Sequence, residues 1–123
     1  SNSLTVTGTI AATETVSGTS FVSTSDSRIK TDVEDVSRDD AMRLMRLVNA
    51  KTYERLDIPG ISRIGFIADD WWQHSPPEWK NVASVDYTKG LLQLDYSRIV
   101  PVLWTICQQQ QDAIDALTTK LTP

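Results

Sequence analysis

The end of the chain carries an apolar stripe that predicts one long helix, from Ser97 to about Leu121. Pro101 falls near its start, and we expect it in the first turn, where the amide hydrogen would lack a partner in any case. The stripe advances in steps of three and four through Ile99, Leu103, Ile106, Gln110, Ile114, Leu117 and Leu121. This spacing is typical of a coiled coil with one polar seam position. A single amphipathic helix packed on its own domain would give the same stripe, but the last turns lie beyond the other predicted elements, so we favour self-association.

The first 25 residues differ in kind from the rest. Thirteen of them are Ser or Thr, and Glu14 is their only charge. The segment TVTGT at residues 5–9 is echoed by TVSGT at residues 15–19, each with alternating β-branched residues and a glycine. Such a repeat cannot bury a face of its own and needs neighbouring strands, from further repeats or from other chains. The alternative is a flexible Ser/Thr linker. In either case, we expect this segment to be the end of a longer structure.

The middle of the chain alternates short strand patterns with short helical ones, which indicates an α+β fold. A helix is expected from Ser37, a preferred N-cap residue followed by two acidic residues, to near Asn49. Before it, Ile29 to Val36 predicts a short strand or extended stretch. The other expected elements are a hairpin of Lys51–Leu56 and Ile61–Ala68 around a turn at Asp57–Gly60, a helical turn at Asp69–His74, an extended stretch at Ser75–Pro77, and a hairpin of Val82–Tyr87 and Leu91–Tyr96 around Thr88–Gly90.

Composition narrows the function classes. The net charge of -4 argues against a nucleic-acid groove, and no apolar run is long enough for a membrane span. We therefore expect neither nucleic acid nor membrane as a partner. Cys107 is the single cysteine and His74 the single histidine, so no internal disulfide or multi-histidine metal site can form within one chain. We expect no metal and no cofactor, and Cys107 as a small buried hydrophobe.

The candidate chemistry lies at the composition boundary, where Ser25 is followed by Lys30. A serine hydroxyl and a neutral lysine amine form a workable acyl-transfer pair. Residues five apart meet only if the backbone turns between them, and Asp26 and Ser27 are both turn formers. Asp26 would hold the lysine in its charged form unless it pairs with Arg28 instead. On chemistry alone, a polar turn before a strand is the better explanation of these residues.

The pattern Ser25-Asp26 with Arg28 and Lys30 resembles the S-D-x-R-x-K signature of the S74 peptidases, the intramolecular chaperone domains that end phage endosialidases, neck appendages and L-shaped tail fibres. The resemblance continues in order through LVNAKTY at 47–53, IGFIA at 64–68 and LDYSRIVPVLW at 94–104. It covers about residues 25 to 121. The chain departs from the family pattern after Ala68, where Asp69, Asp70 and Trp71 replace a usual Q-E-V.

This resemblance implies a homotrimer whose chaperone domain, residues 25–123, helps the preceding β-rich fibre segment of the same chain, residues 1–24, to fold in register. It implies a trimeric coiled coil in the long C-terminal helix. It also implies a single-turnover serine endopeptidase that cuts its own chain between Thr24 and Ser25, with Ser25 as nucleophile, Lys30 as general base, and Asp26 and Arg28 as supporting residues. The setting would be a virion tail fibre assembled in the host cytoplasm, from which the chaperone part is released.

Two other interpretations stay open. A trimeric tip domain that remains attached to the fibre could contact the host receptor through Trp71, Trp72 and Trp79. For those aromatic residues, a buried core or a trimer contact is the better explanation. A soluble enzyme acting on a separate substrate is a distant third, since the sequence contains no glycine-rich phosphate loop, HExxH or CxxC motif.

Overall fold

The computed structural model describes residues 2–122. The chain divides into two units, Ser1–Val33 and Glu34–Pro123. The first unit contains a short 3-10 helix, Ser27–Ile29, and the second is α+β, as the sequence predicts. In chain order the elements of the second unit are α1 (Arg38–Leu47), β1 (Lys51–Arg55), β2 (Ile58–Gly65), α2 (Ala68–His74), β3 (Ala83–Asp86), β4 (Leu91–Leu94) and α3 (Tyr96–Leu121).

Helix α1 starts where its sequence signals predict. The Ser37 hydroxyl accepts a hydrogen bond from the Asp40 amide at 3.3 Å, and two acidic residues occupy the positive first turn. The helix ends at Leu47, two residues before the predicted limit. Ala41 and Leu44 are fully buried, so this side of the helix faces the core.

The first hairpin pairs β1 with β2, but its turn lies earlier than predicted. Arg55 is opposite Ile58, so the turn is Leu56–Asp57 rather than the predicted Asp57–Gly60. The Asp57 carboxylate accepts two hydrogen bonds from the Arg55 guanidinium, at 2.9 and 2.6 Å, which holds the two-residue turn closed. Pro59 then lies inside β2. A two-stranded ribbon tolerates it because each strand has an unpaired edge.

The second hairpin pairs β3 with β4 and confirms the predicted turn. Gly90 adopts a φ of +69°, a conformation that favours glycine, and its amide donates to the Asp86 carbonyl at 2.7 Å. Two other predictions are correct only in part. Residues 29–36 contain no strand, although Lys30, just after the 3-10 turn, has an extended backbone. Ser75 is extended as predicted, but the chain then enters a turn, in which the Trp79 amide donates to the Pro76 carbonyl at 3.0 Å.

The core of the second unit lies between α1, α2, the β3–β4 hairpin and the first half of α3. Trp71 of α2 is 4% exposed, and its ring meets Phe66 edge-on at 5.4 Å. The buried apolar residues are Ala41, Leu44, Val48, Trp71, Val82, Ala83, Ile99, Val102 and Ile106. The core therefore ends at Ile106 along α3, fifteen residues before that helix ends.

Helix α3 confirms the predicted long helix with two corrections. Its N-cap is Asp95, whose carboxylate accepts from the Ser97 amide at 3.0 Å. Because the helix starts at Tyr96, Pro101 lies in the second turn rather than the first, where it removes one backbone hydrogen bond. Cys107 is exposed rather than buried, because the helix turns Ile106 and not Cys107 toward the core. Among the described residues, no helix is long and apolar enough to cross a membrane.

Candidate active site

The segment from Ser25 to Lys30 forms one tight turn. Asp26 caps the 3-10 helix, and its carboxylate accepts a hydrogen bond from the Arg28 amide at 2.8 Å. The Ile29 amide donates to the Asp26 carbonyl at 3.2 Å, and the Lys30 amide donates to the Ser27 carbonyl at 3.1 Å. Asp and Ser favour such turns because their side chains bond nearby backbone groups. The backbone therefore reverses between Ser25 and Lys30.

This turn brings the two candidate catalytic side chains together. The Lys30 Nζ atom lies 2.6 Å from the Ser25 Oγ atom, within hydrogen-bond distance. Five positions apart in sequence, they could not meet on a regular strand or helix. This distance is within the hydrogen-bond reach that general-base catalysis requires between a base and the hydroxyl whose proton it accepts.

The Asp26 carboxylate, which neighbours Ser25 in sequence, is bonded to another side chain. Asp26 accepts two hydrogen bonds from the Arg28 side chain, at 3.0 and 2.7 Å. The Arg28 side chain is the main cause that lowers the pKa of the Asp26 carboxyl below its ordinary value. The same pairing raises the pKa of Arg28. The carboxylate therefore forms its ion pair with Arg28 inside the turn.

Comparison with protein families adds to this geometry. The sequence model of the peptidase S74 family, described as the chaperone of endosialidase, matches residues 25–88. The match covers just over half of the chain and begins at Ser25. The chain belongs to this family. No curated protein and no solved structure matches it.

The turn from Ser25 to Lys30 is open to water within one chain. All residues from 24 to 30 are exposed, including Thr24 on the other side of the predicted scissile bond. A lysine works as a general base only when its amine is uncharged, which removal from water favours. An exposed turn therefore has the right contact without the dry surroundings that the chemistry requires.

Sequence reasoning missed one backbone feature of this region. Asp32, two residues after Lys30, has a φ of +52°, in the left-handed region. Aspartate adopts this conformation more readily than most residues because its short polar side chain can bond locally. The only sequence signal for this conformation was an aspartate in a run of polar residues, and that signal is weak. No cluster of three or more metal-ligating side chains occurs among residues 2–122.

The tryptophans considered as a binding platform do not stay together. Trp71 is in the core, whereas Trp72 is 52% exposed. Trp72 and Trp79 line a surface cavity of about 440 Å³, together with Pro76, Pro77, Tyr87 and others. The core interpretation is thus correct for Trp71, and Trp79 also packs against the core, whereas Trp72 is exposed beside this open groove.

Proposed function

We propose that this chain is an intramolecular chaperone that trimerises, aligns the fibre segment preceding it, and then cuts itself free between Thr24 and Ser25. Residues 1–24 form the end of a phage tail fibre that stays in the virion, and residues 25–123 form the released domain. The observation that carries the proposal is the 2.6 Å contact of Lys30 Nζ with Ser25 Oγ at the residue where the family match begins.

The reaction needs only groups at the turn and one water molecule. Lys30, when uncharged, accepts the proton from the Ser25 hydroxyl as Oγ attacks the Thr24 carbonyl carbon. The bond between that carbon and the Ser25 nitrogen breaks, and the proton returns from Lys30 to this nitrogen. Water then hydrolyses the resulting ester. The products are a chain ending at Thr24 and a domain with Ser25 as its free N-terminus.

Assembly provides the missing dry surroundings in this proposal. Copies of the chain packed around the turn would remove it from water and favour the uncharged amine. Exposed aliphatic side chains on α3 supply the driving force: Val100, Leu103, Ile114, Leu117 and Leu121 are each at least half exposed. Full burial of a large aliphatic side chain stabilises by about 1.5–3 kcal/mol. Cleavage would therefore follow trimerisation.

The test uses variants of the turn that leave the second unit unchanged. We expect purified wild type to yield a fragment beginning at Ser25 by mass spectrometry, and Ser25→Ala and Lys30→Ala to stay whole. Lys30→Arg should also stay whole, because a guanidinium does not give up its proton. Ser27→Ala is the matched control, since it changes a hydroxyl in the same turn, and it should still be cut. Normal cleavage of both Ser25→Ala and Lys30→Ala would show that the pair is wrong.

A second candidate is a trimeric tip that stays attached and contacts the host receptor. The exposure of the whole turn and the open groove beside Trp72 and Trp79 favour it. In that case assembled wild-type trimers would remain intact after long incubation, and Trp72→Ala would weaken receptor contact without changing the oligomeric mass.

A further inference from the structure

Asp32 is the exception among the residues with a positive φ. Gly8, Gly60 and Gly90 have φ values of +136°, +86° and +69°, which glycine adopts without steric cost. Among the described residues, Asp32 is the only one with a side chain that has a positive φ, +52°. This left-handed conformation is unfavourable for most residues, and such strain is found mainly at functional sites. The described chain carries it once outside glycine, two residues after Lys30.

The left-handed conformation of Asp32 depends on the residue itself. Asp32 and its neighbours Thr31 and Val33 are exposed, so no side chain packs over them to impose a conformation within one chain. The hydrogen bonds that hold the turn from Ser25 to Lys30 do not include the Asp32 side chain. Aspartate adopts the left-handed region several-fold more often than most residues, and β-branched residues almost never do. A substitution at this position therefore acts directly on the backbone.

Asp32 bends the chain just after the turn. The Lys30 backbone is extended, with a φ of −116° and a ψ of 147°, and its amide is held by the Ser27 carbonyl at 3.1 Å. Two residues later the chain bends at Asp32, and the second unit starts at Glu34. The turn thus restrains the Lys30 backbone on its N-terminal side, and the bend restrains it on its C-terminal side.

We propose that Asp32 is a positioning residue whose left-handed backbone, and not its carboxylate, holds Lys30 in the orientation that reaches Ser25. The inference rests on the proposed function, because the pair that Asp32 positions is the one that cuts the chain. Lysine carries its amine on a flexible four-carbon stem. A restrained backbone therefore increases the share of time that Lys30 Nζ spends at its 2.6 Å contact with Ser25 Oγ.

Four substitutions separate backbone conformation from charge. Asp32→Gly and Asp32→Asn remove the charge but keep the left-handed region accessible. Asp32→Glu keeps the charge but lacks the short side chain that favours this region. Asp32→Val is the strongest change, because a β-branched residue is an outlier there. We expect cleavage within about twofold of wild type for Asp32→Gly and Asp32→Asn, a few-fold slower for Asp32→Glu, and about tenfold slower for Asp32→Val.

Asp35→Val is the matched control. It makes the same change of charge and shape three residues later, at an exposed residue without a positive φ, and cleavage should keep its wild-type rate. Asp32 is exposed and belongs to the first unit, so the urea midpoint and the native mass should be the same in all five variants. Slower cleavage of Asp32→Val with an unchanged midpoint is the result that a general loss of stability would not give.

A second measurement reports the contact of Lys30 with position 25 independently of cleavage. In a Cys107→Ser background, Ser25→Cys introduces the only thiol of the chain. A nearby lysine ammonium lowers a thiol pKa below its ordinary value of about 8.5, so the pH profile of iodoacetamide alkylation, followed on intact chains by mass spectrometry, reports the contact. Compared with the same protein carrying Lys30→Ala, we expect a pKa lower by about half a unit to one unit. Added Asp32→Gly or Asp32→Asn should keep this shift, and added Asp32→Val should remove most of it.

The outcomes separate this inference from the proposed function. Loss of both cleavage rate and thiol shift in Asp32→Val, with both kept in Asp32→Gly and Asp32→Asn, supports the inference. A wild type that stays whole, with a thiol shift that Asp32→Val removes, supports the positioning of Lys30 and overturns self-cleavage. An absent thiol shift with Asp32 in place, or a wild-type result for Asp32→Val, overturns the inference. A wild-type result for Asp32→Glu together with a loss in Asp32→Gly also overturns it, because the carboxylate would then be the active feature.

Discussion

Each of the two units of this chain is stabilised in a different way. In residues 2–33 every side chain is exposed. The local structure there depends on hydrogen bonds between residues that are close in sequence, such as those of Asp26. Residues 34–122 contain the buried core, both hairpins and all three α-helices of the described chain. The candidate chemistry, the contact between Ser25 and Lys30, lies in the unit without a core.

This difference indicates a separation of tasks. A core fixes a fold because its apolar area is removed from water, and it tolerates little change. A turn held by exposed hydrogen bonds is only weakly stabilised and responds to whatever surrounds it. Substitutions in the second unit should therefore change stability, and those at the turn should change cleavage without changing stability.

The largest expected effect is in the core of the second unit. Leu44 is 1% exposed, and Leu44→Ala removes buried volume from the contact of α1 with its neighbours. We expect the free energy of unfolding to fall by about 2–5 kcal/mol, measured by urea denaturation. Ile29→Ala is the matched control, since Ile29 is 67% exposed and its truncation should leave the urea midpoint unchanged. Equal losses for the two variants would contradict the comparison.

A smaller loss is expected where β2 meets the start of α3. A Cβ atom at Gly65 would lie 2.5 Å from the Tyr96 hydroxyl oxygen and 3.0 Å from that of Tyr53. Gly65→Ala must displace Tyr96, whose hydroxyl accepts the Phe66 amide at 2.9 Å, and should cost about 1–3 kcal/mol. Tyr96→Phe removes the clashing oxygen, so the double variant should lose less than the two single changes together. Strict additivity would show that the clash is not the cause.

The sequence predicted best those elements whose signals are local. Ser37 before two acidic residues defined the start of α1, and Gly90 defined the turn of the second hairpin. The first turn was misplaced because Pro59 and Gly60 are strong turn residues, whereas the observed turn carries the Arg55–Asp57 ion pair. A local pattern of turn residues does not reveal which acid pairs with which base.

For α3 and the turn, the missing information was tertiary. Helical spacing predicted a stripe, but Ile106 and Cys107 are neighbours, and only packing decides which of them faces the core. The meeting of Ser25 and Lys30 was inferred from the turn-forming residues between them. The full exposure of this turn could not be predicted from residue types, because burial depends on what packs over a segment.

The third prediction concerns the N-cap of α3. Asp95→Ala removes the acceptor of the Ser97 amide and should cost about 0.5–2 kcal/mol at neutral pH. Hydrogen bonding from the Ser97 side chain is the main cause that lowers the pKa of Asp95. Its contribution is therefore present above the unfolded carboxyl pKa of about 3.9 and is lost as the pH falls below that value.

Asp95→Asn is the matched control for this cap. Asparagine caps helices about as well as aspartate but does not titrate in this range. Urea midpoints measured at pH 7 and pH 3 should therefore fall less with acid in Asp95→Asn than in wild type. An identical acid response in the two proteins would show that other carboxyl groups account for it.

The smallest effect on stability, and the sharpest test of separate tasks, is expected at Asp26. Asp26→Asn breaks the ion pair with Arg28 and should leave the urea midpoint unchanged, because both side chains are exposed. Cleavage should slow several-fold, since the pair holds the turn that brings Lys30 to Ser25. The Asp26 pKa is lowered by Arg28, so wild type should keep the pair at pH 5–8 and lose it only below about pH 3.9.

Asp57→Asn is the control, because Asp57 pairs with Arg55 across the same two-residue spacing in the second unit. If Asp57→Asn slowed release of the Ser25 fragment as much as Asp26→Asn, the turn would not act independently of the fold.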